Sequence, residues 1–217
     1  MKILLLSDIH SRIKNLQKLV ERAKNKEIDL ILVAGDLTNF GGERETREVI
    51  EEIKKLGKKI FAVPGNLDTK ETLLFLEKEK ISLHSKKEEF KDFVFVGFGG
   101  ATNCIGDGET IFAETEIYEK LKELLINEKK KKVFLLTHAP PKNSLLDKSF
   151  SGKHVGSESV KKIISEFSPE FCVSGHCHEA FGKEIIEKTF CINASSVKHG
   201  KMVLLDTKTK EIKWIEL

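Results

Sequence analysis

Short apolar runs alternate with amphipathic stretches along the first third of the chain. Ile3 to Leu6, Leu30 to Val33 and the run from Lys59 through Val63 are too short for helices, and their unbroken apolar character predicts strands buried on both faces. Each is followed by apolar residues at helical spacing: Leu16, Leu19, Val20 and Ala23, then Val49, Ile50, Ile53 and Leu56, then Leu73, Leu74 and Leu76 in a helix from about Thr69. Strand, loop and helix in repetition predict parallel βαβ units. The middle is less regular, with short strands predicted at Ile81 to Leu83, Glu88 to Phe90 and Phe93 to Phe98, the last two forming a hairpin that turns at Lys91-Asp92. Helical spacing returns between Glu114 and Asn127 through Ile117, Leu121, Leu124 and Leu125, ahead of a strand from Val133 to Thr137. Lys142 to Gly156 reads as a long loop, a lid or an excursion, with Leu145, Leu146 and Phe150 expected at the surface. Ser157 is placed to cap a helix carrying Val160, Ile163 and Ile164, with Glu158 in its first turn. Beyond the apolar Phe171-Cys172-Val173, four strands without helices are predicted at Glu184 to Ile186, Phe190 to Ile192, Met202 to Leu205 and Glu211 to Ile215.

Composition narrows the picture only a little. A length of 217 residues suits a single domain spanning 1–217. The net charge of +3 is small against 37 basic and 34 acidic side chains, so charge gives no argument for nucleic acid. Lysine and glutamate dominate and Gln17 is the sole glutamine, a bias shared with heat-adapted proteins. The run from Lys129 to Lys132 is read as the solvated end of a helix. Cys104, Cys172, Cys177 and Cys191 lack paired zinc spacing, and three of them adjoin apolar runs, which argues against a disulfide framework. Ile3 to Leu6 is too short for a signal peptide or a membrane span, making the cytoplasm the expected location. Oligomeric state stays open.

The polar residues that follow the strands change the picture more. Asp8-x-His10, Gly35-Asp36, Gly65-Asn66-x-Asp68, His138 and Gly175-His176-x-His178 all lie just past an apolar run, where parallel sheets collect their ligands. In extended backbone alternate side chains share a face, so His176 and His178 are expected to face one pocket while Cys177 turns inward, and Asp8 and His10 to do likewise around Ile9. Imidazoles suit borderline divalent metals. Asp8 and Asp36 brought together without cations would repel, and one would take up a proton. Each block alone is commonplace. Gly97-Phe98-Gly99-Gly100-Ala101-Thr102 departs from a dinucleotide fingerprint at Thr102 and is not followed by a prompt helix, so it is rejected as a cofactor site.

Taken in order, the five blocks resemble the calcineurin-like metallophosphoesterase family, and the likeness runs from residue 1 to about 200. The resemblance implies an α/β fold, a four-layer α/β/β/α sandwich of two mixed sheets. It also implies two divalent metal ions, manganese or iron, with zinc or nickel as the other candidates. Asp8, His10 and His178 would hold the first, Asn66, His138 and His176 the second, and Asp36 would bridge them. The implied activity is hydrolysis of phosphodiesters or small activated phosphate esters by a metal-bound hydroxide. One departure stands out. Many members carry histidine directly after the asparagine to protonate the leaving oxygen, and here the residue is Leu67. His154 is the candidate to contact phosphate or deliver that proton, the structural alternative being a loop histidine bonded to backbone. His84 and His199 read as solvent-facing turn residues, and Asp68 as a brace for its loop. The rival readings are a non-catalytic metal-binding or scaffold protein of the same fold, and a nuclease, which predicts a basic groove or a capping domain.

Overall fold

In the computed structural model, which describes residues 1–102, 109–128 and 132–217, the apolar runs become the strands of two sheets. In chain order the elements are β1 (Lys2–Leu6), α1 (Ile13–Ala23), β2 (Leu30–Ala34), α2 (Glu43–Lys54), β3 (Lys59–Val63), α3 (Lys70–Lys78), β4 (Lys86–Phe90) and β5 (Phe93–Phe98). There follow α4 (Glu114–Leu125), β6 (Lys132–Thr137), α5 (Glu158–Phe167), β7 (Phe171–Ser174), β8 (Gly182–Ile186), β9 (Thr189–Asn193), β10 (Lys201–Asp206) and β11 (Glu211–Glu216). The first sheet has the order β11-β10-β1-β2-β3 and the second β4-β5-β6-β7-β9-β8. Parallel pairing joins β1, β2 and β3, and again β5, β6, β7 and β9, while antiparallel strands close the edges.

The layering follows from strand alternation. Leu4 and Leu6 of β1 and Ile31 and Val33 of β2 face a cluster with the apolar stripes of α1 and α2, including Leu16, Leu19, Val49 and Ile53. Ile3, Leu5, Leu30 and Leu32 face the other way, onto the second sheet. On that sheet Phe95, Phe134, Phe171 and Phe190 occupy paired positions of four adjacent strands and form a transverse row. Ring centroids along the row are 5.1, 5.1 and 6.0 Å apart, so aromatic packing reinforces the register. Val94, Val96, Val133 and Leu135 point outward onto α4 and α5. Two sheets back to back, each covered by helices, give the expected four-layer α/β/β/α sandwich. Among the described residues no helix is long and apolar enough to cross a membrane. Cys104 and Lys129 to Lys131 lie outside the described residues, while Cys172, Cys177 and Cys191 are free and buried, as small hydrophobes.

Three expectations are corrected. Ile81 to Leu83 is not a strand: Ser82 bridges to Ala62 of the first sheet and His84 to Gly97 of the second, because the segment crosses between sheets. On α3 the buried residues are Thr72, Phe75 and Leu76, and Leu74 is exposed, so the three leucines do not mark the packed face. In the loop after β6, Leu145 and Phe150 are exposed but Leu146 is buried. That loop is gathered around the fully buried Asp147, whose carboxylate accepts hydrogen bonds from the amides of Asn143, Ser144 and Gly156. Ser157 caps α5 as expected, its hydroxyl accepting from the Val160 amide, and α5 ends at Ser168 in a left-handed conformation.

His84 is a fourth correction. It is buried against the Phe98 and Phe112 rings at 4.6 and 5.2 Å, with Nδ1 accepting a hydrogen bond from the Gly99 amide at 3.0 Å. Burial pushes its pKa down to about 4. Between that value and the ordinary 6.5, the unfolded chain takes up a proton that the folded chain refuses, so stability falls as pH drops through the window. The single residue should cost about 2 kcal/mol between pH 7 and pH 5. His84→Asn keeps an acceptor near Nδ1 without titrating, and its urea midpoint should fall less than that of the parent over this range. Parallel declines in the two proteins would refute the assignment.

Candidate metal centre

Loops at the carboxyl ends of β1, β2, β3, β6 and β7 bring Asp8, His10, Asp36, Asn66, His138, His176 and His178 together. Asp8, His10, Asp36, Asn66 and His138 are buried, and His176 and His178 are partly buried. Their convergence does not come from strand alternation, as the sequence suggested. Asp8, His10, Asp36 and His176 have φ of 51°, 50°, 51° and 66°, and His178 opens a short 3-10 turn. Left-handed backbone at non-glycine residues costs on the order of 1–3 kcal/mol each, and such strain concentrates at functional sites. Ile9 and Cys177, between the paired polar residues, are buried as expected.

Two glycines permit the approach. Gly35, at φ +87°, lies where a Cβ would come within 2.5 Å of His138 Nδ1. Gly175 lies where a Cβ would collide with the Ser7 hydroxyl and the Asp8 carboxylate.

The donors form two groups. In the first, His178 Nε2 is 3.0 Å from Asp8 Oδ1 and 3.1 Å from His10 Nε2. In the second, Asn66 Oδ1 is 2.9 Å from both His138 Nε2 and His176 Nδ1. Asp36 lies between them, Oδ2 at 3.8 Å from His10 Nε2 and Oδ1 at 3.6 Å from His138 Nε2. Ligand atoms of Asp8, His10 and His178, and of Asp8, Asp36 and His138, fall within 4.8 Å of one another. Orientation is fixed from behind. His138 Nδ1 donates to the Ala34 carbonyl at 2.7 Å, which leaves the Nε2 lone pair facing Asn66 and Asp36. Asp8 Oδ2 accepts from the Ser7 hydroxyl at 2.5 Å and the His176 amide at 2.9 Å, so Oδ1 faces the histidines. Asp36 Oδ1 accepts from the Leu67 amide at 2.8 Å.

This donor set fits divalent cations. Asp8 and Asp36 are both buried, and among the described residues no lysine or arginine forms an ion pair with either. Burial favours the protonated form of Asp8, but hydrogen bonds from His10 and His178 and the neighbouring imidazoles hold it below the usual carboxylate range. Asp36 is pushed well above that range by burial, then by the charges of Asp8 and Asp68. Two carboxylates driven apart in this way are the mark of a pocket short of positive charge. Burial, reinforced by His138, brings the His176 pKa down to about 3, which keeps its imidazole neutral.

Asp68 stands behind the ligands, accepting from the amides of Leu37, Thr38 and Gly65, and so ties the β2 and β3 loops together. His154 is elsewhere: its Nδ1 is 2.6 Å from Asp147 Oδ1, and among the described residues no hydrogen bond or ring contact joins it to the ligand cluster. His199 is exposed, as expected of a turn residue, but its ring stands 5.2 Å from that of His178 and nearly perpendicular to it. Ser7 and the turn at residues 195–199 support the site without having stood out in the sequence. The signal lay in Asn193-Ala194-Ser195-Ser196, another small polar run just past a strand, whose Ser196 hydroxyl donates to the Asp8 carbonyl at 2.9 Å.

Comparison with known proteins bears on the fold and the family. The model of the family described as calcineurin-like phosphoesterase matches residues 1–180. An uncharacterized protein of Methanocaldococcus jannaschii is 36% identical over 218 residues, covering 95% of this chain and 96% of its own. A probable glycerophosphodiester phosphodiesterase of Arcobacter nitrofigilis is 24% identical over 210 residues, covering 93% of this chain and 74% of its own. Among solved structures, TT1561 of Thermus thermophilus superposes with a TM-score of 0.82 at 18% identity, covering 99% of this chain and 98% of that one.

Proposed function

Since the chain belongs to the calcineurin-like phosphoesterase family, we propose that it is a dinuclear-metal hydrolase of phosphodiesters or small activated phosphate esters. The observation that carries this reading is the pair of donor groups with Asp36 between them, one carboxylate oxygen turned toward each. Asp8, His10 and His178 would hold one ion, and Asn66, His138 and His176 the other, with manganese or iron as the first choice. Bound there, two cations supply Lewis acidity at the phosphoryl oxygens and activate water for in-line displacement. The residues contribute position and charge. Asp36 sets the spacing of the two groups, and the Leu67 amide holds its Oδ1 in place. The Ala34 carbonyl fixes the His138 tautomer, and Ser7 fixes the rotation of Asp8. In the net reaction a water oxygen bonds to phosphorus and the bond from phosphorus to the alcohol oxygen breaks. One water proton ends on the alcohol and the other leaves with the phosphomonoester. The name of the Arcobacter nitrofigilis relative supports diesters as the substrate class.

Metal content and turnover together test the reading. The purified protein should carry about two equivalents of divalent metal and hydrolyse bis(p-nitrophenyl) phosphate, losing activity to a chelator and regaining it with manganese. A protein holding less than about one equivalent and taking up none from excess manganese would instead be a scaffold.

A further inference from the structure

A cavity of about 750 Å³ opens between the start of α1 and the turn at residues 197–199, beside the first donor group. We infer that it receives a second phosphoryl group of the substrate, so that the preferred substrates are phosphodiesters bearing an additional terminal phosphate. The inference rests on the phosphodiesterase reading above and adds the substrate class.

Placement comes first. The amides of Val197 and Lys198 donate to the carbonyls of Ser7 and Asp8, both at 3.0 Å, which straps one wall of the cavity to the ligand-bearing loop. Asn15 Nδ2 donates to the Lys198 carbonyl at 2.9 Å and joins that wall to α1. His199 lines the cavity and its ring touches that of His178, so the space adjoins the place where a phosphoryl group would meet the metals. Ser11, with φ of 57° directly after His10 at 50°, turns the chain outward here at a cost in backbone strain.

Charge comes second. Arg12, Lys14 and Lys198 line the cavity, and no acidic residue does. Among the described residues none of the three forms an ion pair, whereas Lys54 and Lys120 on other helices pair with nearby glutamates. The first turn of α1 also carries no acidic residue, unlike those of α2, α3, α4 and α5. A guanidinium fork with two flexible ammonium groups suits the oxygens of a doubly charged terminal phosphate.

The test measures binding without turnover. The protein as isolated, with its metals, is titrated calorimetrically with methylphosphonate-linked pTpT and TpT, which resist hydrolysis and differ only by the 5′-phosphate. Wild type should bind pTpT about tenfold tighter, and the Arg12→Gln/Lys198→Gln double variant should bind the two within about twofold. Lys213→Gln, on β11 and outside the lining of the cavity, should keep the tenfold preference. Equal binding of the two ligands by wild type, persistence of the preference in the double variant, or its loss in Lys213→Gln each overturns the inference. Because nothing need be cleaved, a protein without hydrolytic activity would defeat the functional reading while leaving this measurement able to decide.

Discussion

Asp36→Asn should lower metal-dependent hydrolysis of bis(p-nitrophenyl) phosphate by about 10³-fold while the protein stays folded. The carboxylate offers one oxygen to each donor group, and an amide can offer only one good acceptor, so one of the two ions proposed for the site would lose a ligand and the pocket loses a negative charge. The backbone should tolerate the change, because an amide oxygen at the Oδ1 position can still accept from the Leu67 amide. Burial and the neighbouring charges of Asp8 and Asp68 already disfavour an ionised Asp36, so removing its charge relieves a cost within the metal-free chain. Circular dichroism should therefore show an intact fold, while elemental analysis shows less bound metal. Full activity in this variant would contradict the bridging role, and activity lost along with the fold would leave Asp36 a merely structural residue.

Much of the architecture could be read in advance because it is written in short-range patterns. Unbroken apolar runs such as Leu30 to Val33 mark strands buried on both faces, and the spacing of Leu16, Leu19, Val20 and Ala23 marks a helix packed on one of them. Parallel order then places the polar ends of β1, β2, β3, β6 and β7 at one edge, so the candidate ligands could be named before any contact was known. Side-chain direction was not legible. It depends on left-handed turns at Asp8, His10, Asp36 and His176, where the alternation rule fails. His84 escapes the local pattern for a related reason. Its lysine-rich surroundings suggest solvent, but the segment from Ser82 to His84 crosses between the sheets and carries the ring under Phe98 and Phe112. Nor does local sequence show that residues 197–199 pack against β1-loop carbonyls nearly two hundred positions earlier.

Leu67→His should raise hydrolysis of alkyl phosphodiesters by about 10²-fold while changing that of nitrophenyl diesters by less than about threefold. Position 67 directly follows Asn66, and its amide is bonded to Asp36, so a side chain there is carried on the loop that bears Asn66 and holds the carboxylate between the two groups. Leucine offers no proton at that point. A nitrophenolate leaves readily without one, whereas an alkoxide is a poor leaving group and gains from a positioned acid, which is typically worth about 10²- to 10⁴-fold. The comparison isolates proton delivery because both substrate types meet the same metals and lose the same bond. Plotting log kcat/KM against leaving-group pKa should therefore give a steep negative slope for the parent and a shallower one for the variant. Equal gains on both substrate types would trace the effect to binding or loop geometry, and an unchanged slope would mean that position 67 does not face the leaving group at all.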